Sequence, residues 1–530
     1  LSQFENEWRT RQVTSRQLAM LAIISVAVML SRLDLIFLAF ICGIWILFRG
    51  KPIRFLLPLD AVIIFSAMTA SVAMRTGLAS YNNFYAASAT QAVILALVIK
   101  IICLYFFGAY QHPRENSIWK TLRQTVLALS VSTILITAIY IVFTQLGIRI
   151  NFPRTALVID WGISTFLILT LRLTAFWIGN GKIKVNAQTS TPLAEFQTNW
   201  KIWLTEGFIY YGILGGALGL YMLFNKLMFG TSSPVSGQIK RWWGTMDTIY
   251  ALPANNWQAF FGLGFQGTFD AWQPASNMFM WLAKILRPIY PGSDTTDERY
   301  YIAITAFVLM ALILFAIKPR YTLQKVTKMA LIPIAAGCGI QILFYTTTAY
   351  GDAKEWYWVS QMVFITLAGG LLLDLIFRPL QKIKLVHITF EITSITLALF
   401  LAYTFGSYVK ATMLYNFFPK DRPYMEVLQF LQENTAPGSI IGMTGGGSIG
   451  YFLHDRTIVN MDGLINSNEY FHALQNKKAP EFLRQHGVQI IFANVQLLDL
   501  PPYYGQFRPY FEKFGIYGGK GLVYLLDKPK

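Results

Sequence analysis

The sequence predicts a polytopic α-helical membrane protein of about 11 spans that carries a small C-terminal extracytoplasmic α/β domain. Its 530 residues are 54% hydrophobic and only 13% charged, whereas soluble globular domains carry about 25% charged residues. Long apolar runs recur from residue 18 to residue 409. Lys and Arg residues cluster in alternate loops between those runs, and the pattern changes to short strands and helices beyond Pro419.

The charge balance and the cysteines indicate which partners and which kinds of site the protein is expected to have. Forty-four Lys and Arg residues against 27 Asp and Glu residues give a net charge of +17. Because the excess lies in short loops between apolar runs, a lipid bilayer is the expected partner and nucleic acid is not. Cys42, Cys103 and Cys338 all lie in apolar runs, which argues against a disulfide framework and a thiolate metal site. The sequence begins at Leu1 without a signal peptide, so we expect an N-terminal piece to be absent.

Nine stretches are long enough to cross the membrane, since a spanning helix needs about 20 mostly apolar residues. A tenth stretch, 18–48, is interrupted by Ser31-Arg32-Leu33-Asp34. A single helix of that length would run about 46 Å, which is too long for one crossing. Two shorter helices that meet at Arg32 and Asp34 are therefore expected. The nine stretches are 55–74, 86–108, 124–146, 155–178, 207–229, 300–317, 329–350, 357–377 and 386–409.

Loop charge predicts the orientation of these spans. If the loop 49–54 is cytoplasmic, every second connection is rich in Lys and Arg, as cytoplasmic loops are. The short loops of the opposite set contain only four cations. This places the turn at Arg32, the loop 230–299, the loop 350–356 and everything after 410 outside the cytoplasm. The four cations are Arg75, Arg149, Arg154 and Lys354.

Residues 420–530 contain no run long enough to span a membrane. Helical patterns at 423–434 and 479–486 alternate with apolar runs at 439–443, 457–461, 488–493 and 521–526. Alternating strands and helices predict a small three-layer α/β domain. Its segment Gly445–Gly450 matches G-x-G-x-x-G between a predicted strand and a short helix. The next acidic residues, Asp455 and Asp462, come too early for the ribose carboxylate expected about 20 residues on, so a tight turn that uses glycine is the favoured interpretation.

Several polar residues near span boundaries are candidates for a binding site. Arg32 and Asp34 lie between two apolar arms, where charges either pair structurally or face a ligand. An arginine at that depth has the planar fork that suits a lipid-linked phosphate. In the loop Asp352–Trp358, Lys354 is the only cation beside three aromatic residues, and an aromatic belt is the alternative.

The segment 225–243 ends a span and enters the long loop 230–299. Lys240 and Arg241 precede two tryptophans there, as an interfacial anchor or a phosphate site would. Aromatic residues at helical spacing continue from Trp257 to Trp281, followed by Lys284 and Arg287, which predicts an amphipathic interfacial helix. The stretch Asn460–Ser467 follows a predicted strand, where Asp and Asn commonly close turns or cap helices. The five histidines show no metal spacing.

Taken in order, four of these segments resemble bacterial GT-C glycosyltransferases, which include protein O-mannosyltransferases and aminoarabinose transferases. The resemblance covers roughly 1–54 and 200–530. It implies transfer of a sugar from a polyprenyl-phosphate donor to a glycan, lipid or protein acceptor at the outer face of a bacterial-type plasma membrane. The four segments are the Arg32–Asp34 break, Asn225 to Lys240, the Trp356–Tyr357 loop and Asn460 to Asn466.

Within that resemblance, each candidate residue receives an expected role. Arg32, Lys240, Arg241 and Lys354 are expected to bind the donor phosphate, whose charge builds as it leaves. The cofactor is unassigned, with a divalent metal as the candidate. Residues expected to line or position the cavity are Asp34, Asn225, Ser236, Asp352, Trp356, Tyr357, Asp462 and Asn466.

Residues 55–178 depart from this pattern. Short segments around Asp60, Tyr110, Arg154 and Arg172 resemble the four-helix membrane region of nucleotide-sugar dehydratases and epimerases of polysaccharide biosynthesis. We therefore divide the chain into a GT-C-like core (1–54 and 179–419), an inserted four-helix module (55–178) and an outer α/β domain (420–530). The catalytic carboxylate of GT-C enzymes lies in the first outer loop, which we expect to precede Leu1, so no catalytic residue is assigned.

Two alternatives to the transferase remain. The first is a lipid-linked sugar transporter or flippase. The sequence shows one broken helix and no internal repeat, whereas transporters commonly have repeats and paired broken helices. The second is a catalytically incomplete membrane scaffold with an external binding domain.

Overall fold

The computed structural model describes residues 13–111, 117–147, 151–179, 191–246, 252–264, 269–273, 275–276, 279, 296–351, 353–378, 383–414, 423–464, 466–527 and 529. The chain divides into two compact units. The first, which we call the helical unit, comprises Leu1–Leu220 and Leu252–Leu375. The second, the mixed unit, comprises Tyr221–Ala251 and Ile376–Lys530.

Helices dominate the chain up to residue 414, and all nine apolar stretches form helices. The break at Arg32 is also present, with a 3₁₀ turn at Leu33–Leu35 between two helices. The helices are α1 (Ser15–Ser31), α2 (Ile36–Leu47), α3 (Ile53–Thr76), α4 (Ala86–Phe106), α5 (Ile118–Gln145), α6 (Ala156–Gly179), α7 (Pro192–Phe229), α8 (Val235–Gly244), α9 (Thr296–Ile317), α10 (Pro319–Lys328), α11 (Leu331–Thr347), α12 (Val359–Phe377) and α13 (Lys384–Leu414).

Six helices of the described residues are long and apolar enough to cross a membrane. The number is seven if α9 and α10, which meet at an angle of 105°, are one broken span. The expected count of about eleven is not reached by this criterion. Helices α1, α2 and α11 are apolar but shorter than 18 residues, so each rises less than the roughly 30 Å of the hydrocarbon core.

Helices α3 to α6 form a four-helix bundle within the helical unit. Helix α3 packs against α4 and α6, and α5 packs against α4 and α6. On α4, Ala89, Ala92 and Ala96 are completely buried. Small side chains at this spacing let helix backbones approach closely, which favours packing where lipid removes the hydrophobic drive between helices. Helix α11 packs against α2 and α3 and continues the same core.

The mixed unit contains a five-stranded sheet with strand order β2-β1-β3-β5-β4. Strands β2, β1 and β3 run parallel, while β5 runs antiparallel to β3 and forms a hairpin with β4. The strands are β1 (Ile440–Met443), β2 (Thr457–Asn460), β3 (Ile490–Ala493), β4 (Phe511–Tyr517) and β5 (Lys520–Leu525), and the helices are α14 (Pro423–Asn434), α15 (Gly447–Phe452), α16 (Asn468–Gln475), α17 (Ala479–Gln485) and α18 (Val495–Asp499).

Both faces of this sheet are covered by helices. Alternation along β3 divides the core, since Ile491 packs in one cluster and its neighbours Ile490 and Phe492 pack in another. The first cluster contains residues of α16, α17 and α18, and the second contains residues of α14 and α15. This is the three-layer arrangement predicted for the C-terminal residues.

Candidate functional site

The break between α1 and α2 places two charged side chains at a helix junction. Helix α1 ends at Ser31, and Arg32 adopts an extended conformation with φ −163° and ψ 116°. Asp34 lies in the 3₁₀ turn that leads into α2. A carboxylate at the start of a helix is favoured by the helix dipole. The local backbone therefore accommodates the charges that would interrupt a continuous apolar helix.

Arg32 and Asp34 form an ion pair, with 2.8 Å between Arg32 Nε and Asp34 Oδ1. The Asp34 side chain is 7% exposed, and the Arg32 side chain retains 22% exposure. Arg32 also donates from Nη1 to the Trp356 carbonyl oxygen, and its guanidinium lies 4.4 Å from the centre of the Tyr357 ring. The sequence prediction treated these two segments separately. The structure brings them into contact.

Two residues of α11 complete the surroundings of Asp34. Gln341 Nε2 donates to Asp34 Oδ2 at 2.6 Å, and the Tyr345 hydroxyl donates to the same oxygen at 2.7 Å. Residues four apart share one face of a helix, which explains why both reach one carboxylate. Neither residue was among the candidates predicted from the sequence. Two polar side chains at that spacing in an apolar helix were the available signal.

The network continues from Gln341 to the start of α12. Gln341 Nε2 also donates to the Tyr357 carbonyl oxygen at 3.1 Å. The Ser360 hydroxyl donates to Gln341 Oε1, and Gln361 Nε2 donates to the same oxygen at 3.2 Å. The side chains of all three residues are buried or nearly so. Arg32 therefore belongs to a connected hydrogen-bond network. Asp34, which accepts from Arg32, also accepts from Gln341, and Gln341 accepts in turn from Ser360 and Gln361.

The other residues predicted in the loop 352–358 have mixed outcomes. Lys354 is half-buried, and its carbonyl oxygen accepts the Tyr357 amide at 2.9 Å, so it belongs to the loop that Arg32 contacts. Trp356 is 66% exposed. Asp352 lies outside the described residues.

In the mixed unit, the predicted pair Lys240 and Arg241 lies on α8 but does not share one face. Lys240 is 4% exposed, whereas Arg241 is exposed. Successive residues of a helix point about 100° apart, so two adjacent cations cannot both face one surface. Ser236 lies in the first turn of α8 and is half-buried, and Asn225 lies in α7 and is half-buried.

The predicted stretch 460–466 forms a tight loop after β2. Asp462 Oδ1 accepts the Leu464 amide at 3.1 Å, and Asp462 Oδ2 accepts the Gly445 amide at 3.0 Å. Asn466 Nδ2 donates to the Asn460 carbonyl oxygen at 2.7 Å. These side chains hold backbone groups, as the turn-closing interpretation predicted. Asp462 also links this loop to the glycine-rich turn.

That turn, between β1 and α15, requires glycine for steric reasons. Gly445 has a φ of +66°, a conformation that residues with a Cβ avoid. A Cβ at Gly446 would lie 2.7 Å from Ile458 Cγ2. The geometry agrees with a structural turn for this segment.

Helix α8 packs directly on the loop 460–466. Gly463 has a φ of +81°, and a Cβ there would lie 2.7 Å from Ile239 Cδ1. The rings of Trp242 and Phe471 meet edge-to-face with centres 5.6 Å apart. Lys240, next to Ile239, is thus carried on the helix that contacts the loop after β2. Two of the segments that carry the GT-C resemblance, 225–240 and 460–466, are therefore in contact in the mixed unit. The other two, the Arg32–Asp34 break and the Trp356–Tyr357 loop, are in contact in the helical unit.

Charged residues that the sequence analysis left without a role form two buried clusters in the four-helix bundle. Arg172 of α6 makes a bidentate pair with Asp60 of α3, at 3.1 Å from Nη1 to Oδ1 and 2.6 Å from Nη2 to Oδ2. The Tyr110 ring centre lies 5.2 Å from the Arg172 guanidinium.

The second cluster joins α4 and α6. Lys100 Nζ lies 2.5 Å from Asp160 Oδ2 and donates to Ser164 Oγ at 2.8 Å. The side chains of Lys100 and Asp160 are at most 1% exposed. Intramembrane charges are costly and normally paired, so the bundle interior is arranged around these two pairs.

Two remaining predictions concern metals and the interfacial helix. Among the described residues, no three His, Cys, Asp or Glu side chains converge as a metal site requires. The amphipathic interfacial helix predicted between Trp257 and Arg287 is not formed over residues 257–264 and 269–273. The chain there has a helix of four residues, Trp257–Phe260, followed by an antiparallel bridge between Leu263 and Asp270. Phe260 and Phe269 are buried in the core of the helical unit and so do not lie on an interfacial face. Lys284 and Arg287 lie outside the described residues.

Comparison with known proteins gives one match. Residues 415–519 are similar to a family described as a domain of unknown function (DUF8728). No curated protein and no solved structure matches the chain. The match covers the strands and helices of the C-terminal α/β domain up to β4.

Proposed function

We propose that this chain is a membrane glycosyltransferase that takes a sugar from a polyprenyl-phosphate carrier at the extracytoplasmic face of a bacterial-type plasma membrane. The acceptor is a glycan, lipid or protein hydroxyl. In this reaction the acceptor oxygen bonds to the anomeric carbon, the bond from that carbon to the phosphate oxygen breaks, and the acceptor proton passes to a general base. We assign no residue of this chain as that base.

The observation that carries the proposal is the contact between Arg32 and the Trp356–Tyr357 loop. Arg32 lies 324 residues from Trp356 in sequence, and each segment was singled out by its resemblance to the same family. If these segments form one site, as the resemblance implies, they are expected to lie close together in the folded chain. In the mixed unit, the segments 234–240 and 460–466 meet in the same way.

Arg32 has the features that a phosphate-binding residue needs. Its guanidinium is oriented by Asp34 and by the Trp356 carbonyl oxygen, and part of the group remains exposed. A guanidinium has five N–H donors in a fixed plane, so these contacts leave donors for an oxyanion. Because it stays charged at any physiological pH, it stabilises the negative charge that builds on the departing phosphate.

Asp34 serves as a positioning residue in this proposal. It accepts hydrogen bonds from Arg32, Gln341 and Tyr345, so its carboxylate is already committed to orienting the guanidinium. A general base must reach the acceptor hydroxyl directly. The half-buried Lys354, in the loop that Arg32 contacts, is the further cation of the helical unit that we propose for the donor phosphate. Lys240 and Arg241 belong to the mixed unit, and we assign them no shared site with Arg32.

The proposed topology follows from loop charge. About eleven crossings, with the short helices α1, α2 and α11 counted, place the Arg32 break and the C-terminal α/β domain outside the cytoplasm. In this arrangement the domain of unknown function lies on the side where the acceptor arrives. Its proposed role is to bind the acceptor.

The test uses the whole chain in membrane vesicles and a photoactivatable polyprenyl phosphate. We expect the wild-type chain to be labelled and Arg32→Ala to lose labelling at least tenfold, since a bidentate charged contact is lost. Arg16→Ala, at an exposed arginine of α1, is the matched control and should label as the wild type does.

Arg32→Ala leaves Asp34 without its cation, so a second variant separates binding from charge balance. Arg32→Leu with Asp34→Asn removes both charges and should lose labelling as fully as Arg32→Ala. Labelling of the double variant at the wild-type level would refute the phosphate role of Arg32. Transfer is tested in the same vesicles by measuring the release of labelled sugar from polyprenyl-phosphate hexoses. Movement of the intact carrier across the bilayer, without release of the sugar, would favour a flippase instead.

A further inference from the structure

A cavity of about 460 Å³ lies at one end of the four-helix bundle, where α3 ends and α6 begins. It is lined by Arg75 and Thr76 at the end of α3, by Ser80 and Tyr85, and by the segment 153–155 before α6. Ligand sites commonly have volumes of about 300–1,000 Å³. The cavity is therefore large enough for a phosphate group with its substituent. It is separate from the Arg32 network, with which it shares no residue.

Two arginines meet at this cavity because the helices that carry them run in opposite directions. Arg75 lies in the last turn of α3, and Arg154 lies two residues before α6. Arg75 is exposed, and its Nε donates to Thr155 Oγ1 at 2.9 Å, which orients the guanidinium. Its two terminal nitrogens make no hydrogen bond within the described part of the chain. In the part of the chain that the structure describes, no carboxylate lies within ion-pair distance of either arginine.

The walls of the cavity are fixed to the core on both sides. Phe152 is buried and stacks on Tyr140 with ring centres 4.9 Å apart, so the segment before α6 is anchored. On the other side, the Tyr81 hydroxyl donates to the Thr347 carbonyl oxygen at 3.0 Å, and Asn82 Nδ2 donates to the Ala254 carbonyl oxygen at 3.0 Å. Pre-organised walls reduce the entropy cost of ordering a binding site.

We propose that this cavity binds a phosphate group, with Arg75 and Arg154 supplying the charge. Guanidinium forks match the oxygens of a phosphate in pairs, and the hydroxyls of Ser80 and Tyr85 add neutral donors at the same cavity. Cationic residues at the end of a membrane helix also attract anionic lipid headgroups. The ligand is thus a phosphate ester, held either as the headgroup of an anionic lipid or as a water-soluble phosphate. The four-helix module then has a ligand of its own, independent of glycosyl transfer.

The alternative for two such arginines is general attraction to the membrane surface. The short loops predicted to lie outside the cytoplasm contain four cations in the sequence. Two of these, Arg75 and Arg154, line the same cavity. General attraction of anionic lipid depends on the charge of the protein surface and not on where the cations lie. Binding of a phosphate group in the cavity depends on Arg75 and Arg154 themselves. A variant that removes the same charge elsewhere in the bundle therefore distinguishes the two explanations.

The lipid arm of the test places the whole chain in phosphatidylcholine nanodiscs. Spin-labelled phosphatidylglycerol and spin-labelled phosphatidylcholine of equal chain length report headgroup selectivity. We expect the wild type to retain phosphatidylglycerol in preference, and Arg75→Gln with Arg154→Gln to lose that preference. The control, Lys120→Gln with Arg123→Gln, removes two charges from exposed positions of α5 and should keep the preference of the wild type.

The soluble arm measures binding of radiolabelled inorganic phosphate and glycerol 3-phosphate by equilibrium dialysis. Affinity that falls at least tenfold in the cavity variant, and not in the control, supports the site with a soluble ligand. Equal losses in both variants in either arm, or a wild type without preference in both arms, would overturn the proposal. If the double variant is not monodisperse, Arg154→Gln alone, at an exposed position, takes its place.

Discussion

The pair Asp60–Arg172 provides a quantitative test of how the four-helix bundle is held together. Both side chains are at most 2% exposed and form two hydrogen bonds to each other. Removing one member of a buried pair costs about 3–5 kcal/mol, because the other charge stays buried without compensation. An uncompensated arginine at the centre of a membrane helix costs about 2.5–3.5 kcal/mol on insertion scales. We therefore expect about 3 kcal/mol for Asp60→Leu and for Arg172→Met singly.

The double variant should behave differently. Asp60→Leu combined with Arg172→Met replaces both charges with apolar side chains of similar size, which is often neutral or stabilising. The expected coupling between the two positions is then about 6 kcal/mol in a double-mutant cycle, since two costs of about 3 kcal/mol disappear together. An exposed arginine of the same bundle, Arg123, provides the control as Arg123→Met and should change little.

Cys103 allows a local assay in the complete chain. It is 7% exposed, lies one turn before the end of α4 and belongs to the same core as the bundle helices. With Cys42 and Cys338 replaced by serine, maleimide reacts only when the bundle opens around Cys103. A destabilisation of about 3 kcal/mol should raise the labelling rate roughly 150-fold, since 1.36 kcal/mol is tenfold. A double variant that labels as fast as either single variant would refute the argument that the cost of each single variant comes from the unpaired charge that it leaves buried.

Two further predictions concern the C-terminal domain and are measured by hydrogen-exchange protection factors of the whole chain. Gly463→Ala should destabilise the domain by at least 1–2 kcal/mol, because its φ of +81° is strained for alanine and the new Cβ meets Ile239. Gly438→Ala, at a φ of +82° in open space, should cost less, and an equal cost would show that the contact with α8 is unimportant. The pKa of Glu469 is lowered by hydrogen bonds from its own amide and from Ser467. Protection of α16 should therefore be complete at neutral pH and should fall as the pH drops below about 4.3 and through the lower folded pKa. Glu469→Gln should abolish that dependence, and an unchanged dependence would assign it to another group.

The helices of the membrane region could be predicted because their signal is long and local. A run of about 20 apolar residues needs no tertiary partner to be recognised, and the break at Arg32 followed from two charges between apolar arms. Short elements were harder. Strand β4 carries Glu512 and Lys513 at the sheet edge, so it lacks a continuous apolar run, and α16 is too short to show helical periodicity.

The candidate site could be predicted only where a charge marked it. Arg32 and Asp34 stand out in an apolar sequence, but Gln341 and Tyr345 approach them from more than 300 residues away. A single sequence does not show that residues so far apart along the chain are in contact in the fold. Lys240 and Arg241 show the opposite error, since neighbours in sequence were grouped although a helix turns them apart. Charge identifies candidate positions, and helix geometry decides which of them share a surface.

The two buried ion pairs explain how an apolar bundle acquires a unique arrangement. Lipid is as apolar as the helix surfaces, so hydrophobicity alone does not fix how α6 is rotated. Asp160 and Arg172 are 12 residues apart on α6, which separates them by about 18 Å along the axis and roughly 120° around it. They consequently reach different helices, Lys100 of α4 and Asp60 of α3. Any rotation or one-turn slip of α6 would separate both pairs at once, so the two pairs together select a single register, which in turn brings Arg154 at the start of α6 to Arg75 at the end of α3.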